Sequence, residues 1–301
     1  MDESYKCLYF YDFSERKIMA ERTIITAHSG CEGTEIDSLE SVEKAIELGA
    51  DVVEIDVRVG RWGTPRISHN ELTILNNNQK ITLADVLKKV ADTSLKVNFD
   101  MKEPEALIKV FEVAKRFNMP RERMIFTGCT TPAQLRRQPA FREMGNFFFN
   151  VDYVLRDVVA DKKRKLPADY YALLKENIFL CLIDKDSSVP EKLVPAEMQE
   201  RLRNCDIPET LQEEIMEDAV RVYQTSGAAG ANLPKQLKAS KLLDMLKEGN
   251  VPLSIWTVSE PEIVQWCLEY GAYNITTRDV SQALKIRSHF EKKGINILNR
   301  N

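Results

Sequence analysis

The sequence predicts a (β/α)8 barrel, the TIM-barrel architecture, as a single domain over 1–301 with its core at about 23–285. Three observations predict it. Short apolar runs alternate with helical patterns, which calls for parallel strands joined by helical crossovers. About eight such units over about 280 residues is the length of one barrel. Two of the strand runs carry polar and acidic residues on one face only, although parallel strands are covered on both faces. No Gly/Ser/Pro-rich linker, repeat or low-complexity tract divides the chain. A doubly wound open sheet satisfies the same alternation and is the structural alternative.

The strand candidates, in order, are Thr23–His28, Asp51–Val57, Leu95–Lys102, Arg123–Gly128, Asn146–Asp152, Ile178–Ile183, Gly227–Leu233, Val251–Val258 and Tyr273–Thr276. That is one more than a barrel needs. Ile178–Ile183 is taken as the surplus, because the stretch from about 153 to 225 is long for one unit, and extra elements are expected around 155–225. Helical patterns fill the intervals: Ser38–Leu48, Leu83–Asp92, Pro104–Phe117, Pro132–Arg137, Arg156–Lys163, Pro167–Glu176, Ala196–Arg203, Glu209–Thr225, Lys235–Glu248, Pro261–Tyr270 and Val280–Lys293. Several open on a Ser, Thr or Asp cap or an early proline.

Composition narrows the function. Hydrophobic residues make up 44% and charged residues 29%, with a net charge of −4, so no basic surface for nucleic acid or anionic lipid is indicated. The runs Lys162–Lys165 and Arg136–Arg137 read as solvated positions. Six cysteines form no CxxC pair or dense framework, as expected of reduced thiols in the cytoplasm. No apolar run reaches the roughly 20 residues of a membrane span, and the N-terminal stretch lacks an apolar signal core. A cytoplasmic protein is expected.

The chemistry concentrates in Val53-Glu54-Ile55-Asp56-Val57, with His69 thirteen residues beyond Asp56. Alternation along a strand puts the three apolar residues on one face and the two carboxylates on the other. If helices cover the apolar face, Glu54 and Asp56 point into the barrel. Unpaired carboxylates are costly in a dry interior, and a hard divalent cation is the simplest compensation. Val97-Asn98-Phe99-Asp100-Met101-Lys102 repeats the pattern. Asp100 then supplies a third oxygen ligand, and Lys102 can hold an anionic substrate group.

Of three histidines, His28 ends the first strand and His69 lies just past the second. Barrel active sites form at the C-terminal strand ends, which places both beside the carboxylates for general acid–base work. His289 sits in a charged helix without such context. Trp256, late in its strand, either packs in the core or walls a substrate pocket. Cys31 as a thiol nucleophile would leave the carboxylates unexplained. Lys102 as a Schiff-base lysine would leave the acidic cluster unused.

Taken together these motifs resemble the glycerophosphodiester phosphodiesterase family. The residues that carry the resemblance are His28-Ser29-Gly30, Ser38-Leu39-Glu40-Ser41, Gly49-Ala50-Asp51, Glu54-Ile55-Asp56-Val57, His69-Asn70-Glu71, Thr82–Leu87, Asp100-Met101-Lys102, Trp256-Thr257-Val258-Ser259 and Thr276-Thr277-Arg278-Asp279. They run in family order from 23 to 285, densest up to residue 102. The resemblance implies a divergent member with a (β/α)8 barrel. It implies Glu54, Asp56 and Asp100 as ligands of Mg²⁺ or Ca²⁺, His28 and His69 as the catalytic pair, and Lys102 as a substrate contact. Where the family has Arg after the first histidine this chain has Ser29. The family's Glu of the next motif aligns with Ile36, and its Asp after the second histidine with Asn70. Asp100 stands for a Glu, and the insertion after His69 shrinks to Glu71–Thr82.

The expected function is metal-dependent hydrolysis of a phosphodiester, foremost a glycerophosphodiester of lipid metabolism, to an alcohol and a phosphomonoester such as glycerol 3-phosphate. The expected partner is this small molecule, with no nucleic acid and no membrane span. Two other readings remain open at this stage: a member that binds a phosphorylated ligand without turnover, and a Schiff-base aldolase.

Overall fold

In the computed structural model the described residues are 22–176, 178 and 207–292. Their parallel strands are β1 (Ile24–Ala27), β2 (Val52–Val59), β4 (Lys96–Met101), β5 (Met124–Gly128), β6 (Asn146–Asn150), β7 (Gly230–Pro234), β8 (Leu253–Trp256) and β9 (Asn274–Thr277). Each pairs with the next, and β1 pairs with both β9 and β2, which closes an eight-stranded barrel. Helices follow the strands, giving the (β/α)8 TIM barrel that the alternation predicts. The open-sheet alternative is excluded by the closure. Among the described residues no helix is long and apolar enough to cross a membrane.

Side-chain alternation sorts the interior into layers. Ile25, Val53, Ile55, Val97, Phe99, Phe126, Phe147, Phe149, Leu233 and Ile275 point outward and are buried beneath the helices. On this side Phe126 stacks between Phe99 and Phe147, with centroids 5.3 and 4.9 Å away. Inside, at the N-terminal end, a small apolar floor forms from Val52, Ile125 and Phe148, with Ile24, Ala229 and Tyr273 against it. Above that floor the interior turns polar. Thr26 Oγ1 donates to Asn274 Oδ1 at 2.6 Å, Asn274 Nδ2 to Ser254 Oγ at 2.9 Å, Ser254 Oγ to Asn232 Oδ1 at 2.8 Å, and Asn232 Nδ2 to Asn150 Oδ1 at 2.8 Å. Buried polar groups of this kind need partners, and this chain of bonds supplies them from β1 round to β6.

Helix starts follow their caps. Ser38 Oγ accepts from Ser41 N ahead of Leu39–Leu48. Thr82–Asp85 and Thr131–Gln134 form reciprocal capping boxes, as their residue types favour.

The structure departs from the sequence expectations in a few places. The predicted strand Asn146–Asp152 ends at Asn150, and a helix predicted to begin at Arg156 begins at Val151. Val151, Val154, Leu155, Val158 and Val159 recur at helical spacing and are all buried, so the 3.6-residue period wins over the apolar run. Lys235–Glu248 divides into a 3₁₀ turn (Lys235–Ala239) and a helix (Lys241–Glu248), because Ser240 caps a fresh start. Of the surplus run Ile178–Ile183 only Ile178 is described, and it is helical and buried. The rest of that run and Ala196–Arg203 lie outside the described residues. One strand was not expected: β3 (Pro65–Ile67), antiparallel to the upper half of β2 through Val57↔Ile67 and Val59↔Pro65.

Candidate active site

The register of β2 and β4 builds the centre. Glu54 pairs with Asn98 and Asp56 with Asp100, so these four side chains share one interior patch near the C-terminal mouth. Asn98 Nδ2 donates to Glu54 Oε2 at 2.9 Å. Thr127 Oγ1, from β5, lies 3.1 Å from both Asn98 Oδ1 and Asp100 Oδ1. Lys102 follows Asp100 by two and returns over the same face. Its Nζ lies 2.5 Å from Asp100 Oδ2 and 3.0 Å from Asp56 Oδ1.

Burial and crowding raise the proton affinity of these carboxyls. Desolvation, and then the charge of Asp100, push the Glu54 carboxyl up to about 8. Desolvation also takes Asp56 up to about 7, against the opposing pull of Lys102. Lys102 itself is opposed by burial, but Asp100 and Asp56 outweigh it and hold the ammonium above its ordinary range. A lysine so held is a cation, not an amine nucleophile.

His28 leaves β1 at the mouth. Its Nδ1 faces Ser29 O at 2.9 Å, and its Nε2 lies 3.6 Å from Glu54 Oε1. The carbonyl requires the ring proton on Nδ1 in the neutral form, which leaves the Nε2 lone pair facing the carboxylate patch. Burial lowers its proton affinity below the usual imidazole range, with Arg278 adding to the effect.

His69 reaches the mouth by another route. It follows β3, where Ser68 N donates to Asp56 O at 2.9 Å, and its side chain is exposed. Its backbone is held at both ends: Asp37 Oδ2 accepts His69 N at 2.8 Å, and His69 O accepts from Arg58 Nη2 at 3.0 Å. Trp256 ends β8 half-buried, with Nε1 buried and unpartnered. His289 lies in the C-terminal helix Val280–Lys292. Cys31 is buried with its thiol pushed up by desolvation, the opposite of an activated nucleophile.

Three residues important here went unremarked in the sequence reading. Asp37 ties the His69 loop to the His28 loop, since its N–H donates to Ser29 Oγ at 2.8 Å. Thr127 links Asn98 to Asp100. Gly128, at φ +76°, lets the chain pass so close that a Cβ there would lie 2.5 Å from Asp100 Oδ1. A Ser/Asp cluster before a helix reads as a cap, and a lone Thr or Gly at a strand end carries no signal of its partners across the sheet.

The donor chemistry suits a hard cation. Three carboxylates share one ammonium, so if all were ionised the patch would carry more negative charge than Lys102 offsets, and the raised proton affinity of Glu54 and Asp56 reflects that crowding and their burial. All three offer the oxygen ligands that Mg²⁺ and Ca²⁺ select. As they stand, Lys102 and Asn98 engage these oxygens, and among the described residues no group of three or more His, Cys, Asp or Glu is arranged as a ligand set.

The sequence matches no family model and no curated protein. Solved structures do resemble it. A glycerophosphodiester phosphodiesterase from Thermotoga maritima is 19% identical, covering 88% of this chain and 98% of its own, with a TM-score of 0.56. One from Parabacteroides distasonis is 15% identical, covering 90% and 98%, with a TM-score of 0.57. A phosphodiesterase from Oleispira antarctica, in complex with the product sn-glycerol-3-phosphate, is 13% identical, covering 89% and 97%, with a TM-score of 0.54. At these identities the likeness establishes the fold.

Proposed function

We propose that this chain is a divergent glycerophosphodiester phosphodiesterase, a phosphoric diester hydrolase that cleaves a glycerophosphodiester to an alcohol and a phosphomonoester such as glycerol 3-phosphate. One observation carries the reading: His28, Glu54, Asp56, Asp100 and Lys102 meet at the mouth of a barrel whose solved neighbours bear that name. The product held by the Oleispira antarctica enzyme points to the same substrate class.

His28 is the proton acceptor of the pair. It is neutral near pH 7 and presents Nε2 to the site, so it takes the proton of the attacking hydroxyl, from water or from the substrate. His69, exposed on its own loop, donates to the leaving alkoxide. Lys102 contributes a fixed positive charge beside the reacting phosphate. Glu54, Asp56 and Asp100 would hold Mg²⁺ or Ca²⁺. Such an ion, when bound, polarises phosphoryl oxygens and offsets transition-state charge. The Schiff-base alternative loses support because Lys102 is pinned as an ammonium between two carboxylates. No nucleic acid is expected as partner, and the expected compartment is the cytoplasm.

The test is turnover of glycerophosphodiesters and of bis(p-nitrophenyl) phosphate, with and without chelator, by the wild type and by His28→Ala. The reading expects both treatments to abolish product. Turnover that survives both would overturn it.

A further inference from the structure

The described mouth is dominated by acids. Glu54, Asp56 and Asp100 lie within it, and the one ammonium among them, Lys102, is spent on two of the three. With Lys102 already paired, a cation not committed to a carboxylate is better placed to receive the phosphate of an incoming anionic substrate. Most described basic side chains near the mouth are engaged. Arg58 is bonded to Glu103 and His69 O, Lys80 faces Asp37, and Lys235 is paired with Glu260.

Arg278 differs. It follows β9 directly, and the β1–β9 register that pairs Ala27 with Thr277 brings it opposite His28. Backbone bonds fix this placement: His28 N donates to Thr277 O and Glu32 N to Arg278 O, both at 2.8 Å. Glu32, in the loop after His28, uses Oε1 to accept Ser281 N at 2.8 Å. The Arg278 side chain is exposed and makes no hydrogen bond or ion pair with any described residue. The backbone thus sets Arg278 on the same rim of the barrel as His28, one residue past the end of β9.

We propose that Arg278 is the phosphate-receiving residue of this chain, gripping the substrate's phosphoryl oxygens through the guanidinium beside His28. The inference rests on the phosphodiesterase reading for the identity of the ligand, but only on the placement of Arg278 for its being an anion site. Guanidinium is suited to this role because its planar N–H fork matches two phosphoryl oxygens, which an ammonium does not.

The experiment is calorimetric titration of the wild type, Arg278→Gln and Arg278→Lys with glycerol 3-phosphate and with inorganic phosphate, at low and at moderate salt. Arg278→Gln is expected to weaken both anions by about ten- to a hundredfold, the size of one charge-assisted contact. It should also flatten the salt dependence and leave the melting temperature unchanged. Arg278→Lys should recover part of the loss. Equal binding by wild type and Arg278→Gln overturns the proposal, as does failure of the wild type to bind either anion. Arg278-dependent anion binding without hydrolysis of any diester sustains the proposal and refutes the phosphodiesterase reading. Hydrolysis with a KM indifferent to Arg278→Gln does the reverse.

Discussion

Asp37 Oδ2 accepts the backbone N–H of His69 at 2.8 Å. The same residue donates its own N–H to Ser29 Oγ, one position after His28. A single buried residue, through its carboxylate on one side and its backbone N–H on the other, therefore ties together the separate loops that carry the two histidines.

Replacing Asp37 should act on rate more than on substrate affinity. Asp37→Ala is expected to lower kcat by about a hundredfold, the effect of misplacing a catalytic group by about 1 Å. Asp37→Asn keeps an acceptor for His69 N and should restore most of the rate. Steady-state kinetics with kcat and KM resolved separately checks this, with circular dichroism to confirm the fold.

Acid should stabilise the cation-free protein relative to mild base. Glu54 and Asp56 hold protons up to about 8 and about 7 in the folded chain, whereas free carboxyls lose them near 4. Between those values the folded state binds more protons than the unfolded one, so this contribution is full below about pH 4 and is lost as pH rises toward 8. The fall is on the order of 3 kcal/mol for the coupled pair. Urea midpoints at pH 5, 6.5 and 8 measure it, and Glu54→Gln should flatten the trend. Mg²⁺ or Ca²⁺ should raise the midpoint more at pH 8 than at pH 5, because a bound cation replaces those protons.

Gly128 leaves no room for a methyl group. A Cβ would meet Met101 O at 2.2 Å as well as Asp100, at a φ of +76°. Gly128→Ala is expected to cost about 2–3 kcal/mol and to displace the Asp100 carboxylate, with loss of activity beyond what instability explains. Thermal melts alongside activity at 15 °C separate the two effects.

The barrel seam depends on Arg287. Buried in the C-terminal helix, it pairs with Asp51 and donates to Thr23 O at 2.8 Å, while Asp51 Oδ2 accepts Ile25 N at 2.8 Å. Arg287→Ala leaves that partly buried carboxylate with only Ile25 N and the exposed Arg22, and strips Thr23 O of its guanidinium donor, at a cost of about 2–3 kcal/mol. KM should not change. Denaturant unfolding and steady-state kinetics together decide it.

The parts of the fold legible in the sequence are those whose signal is local. Alternation marked β2 and β4 and placed Glu54, Asp56 and Asp100 inside. Capping residues marked the starts of Leu39–Leu48, Leu83–Val90 and Pro132–Arg137 almost to the residue. What was hidden depends on register. Thr127 matters because β5 sets it level with Asp100, and Asp37 because β3 carries His69 back to it. Val151–Asp161 was obscured because Phe149-Asn150-Val151-Asp152 continues the apolar–polar alternation of a strand into the first turn of the helix.

β3 carries a consequence beyond its three residues. It borrows the free upper edge of β2, above the point where β1 has ended, and takes no part in closing the barrel. His28 is thus mounted on the frame of the molecule, whereas His69 rides on an outrigger fastened to it. Changes of length between Val59 and Pro65, or between Asn70 and Thr82, reshape the rim around the second histidine without disturbing the hoop of strands. The positions of the two histidines can therefore diverge at different rates, and the outline of the mouth can change along one side while the carboxylate patch stays constant.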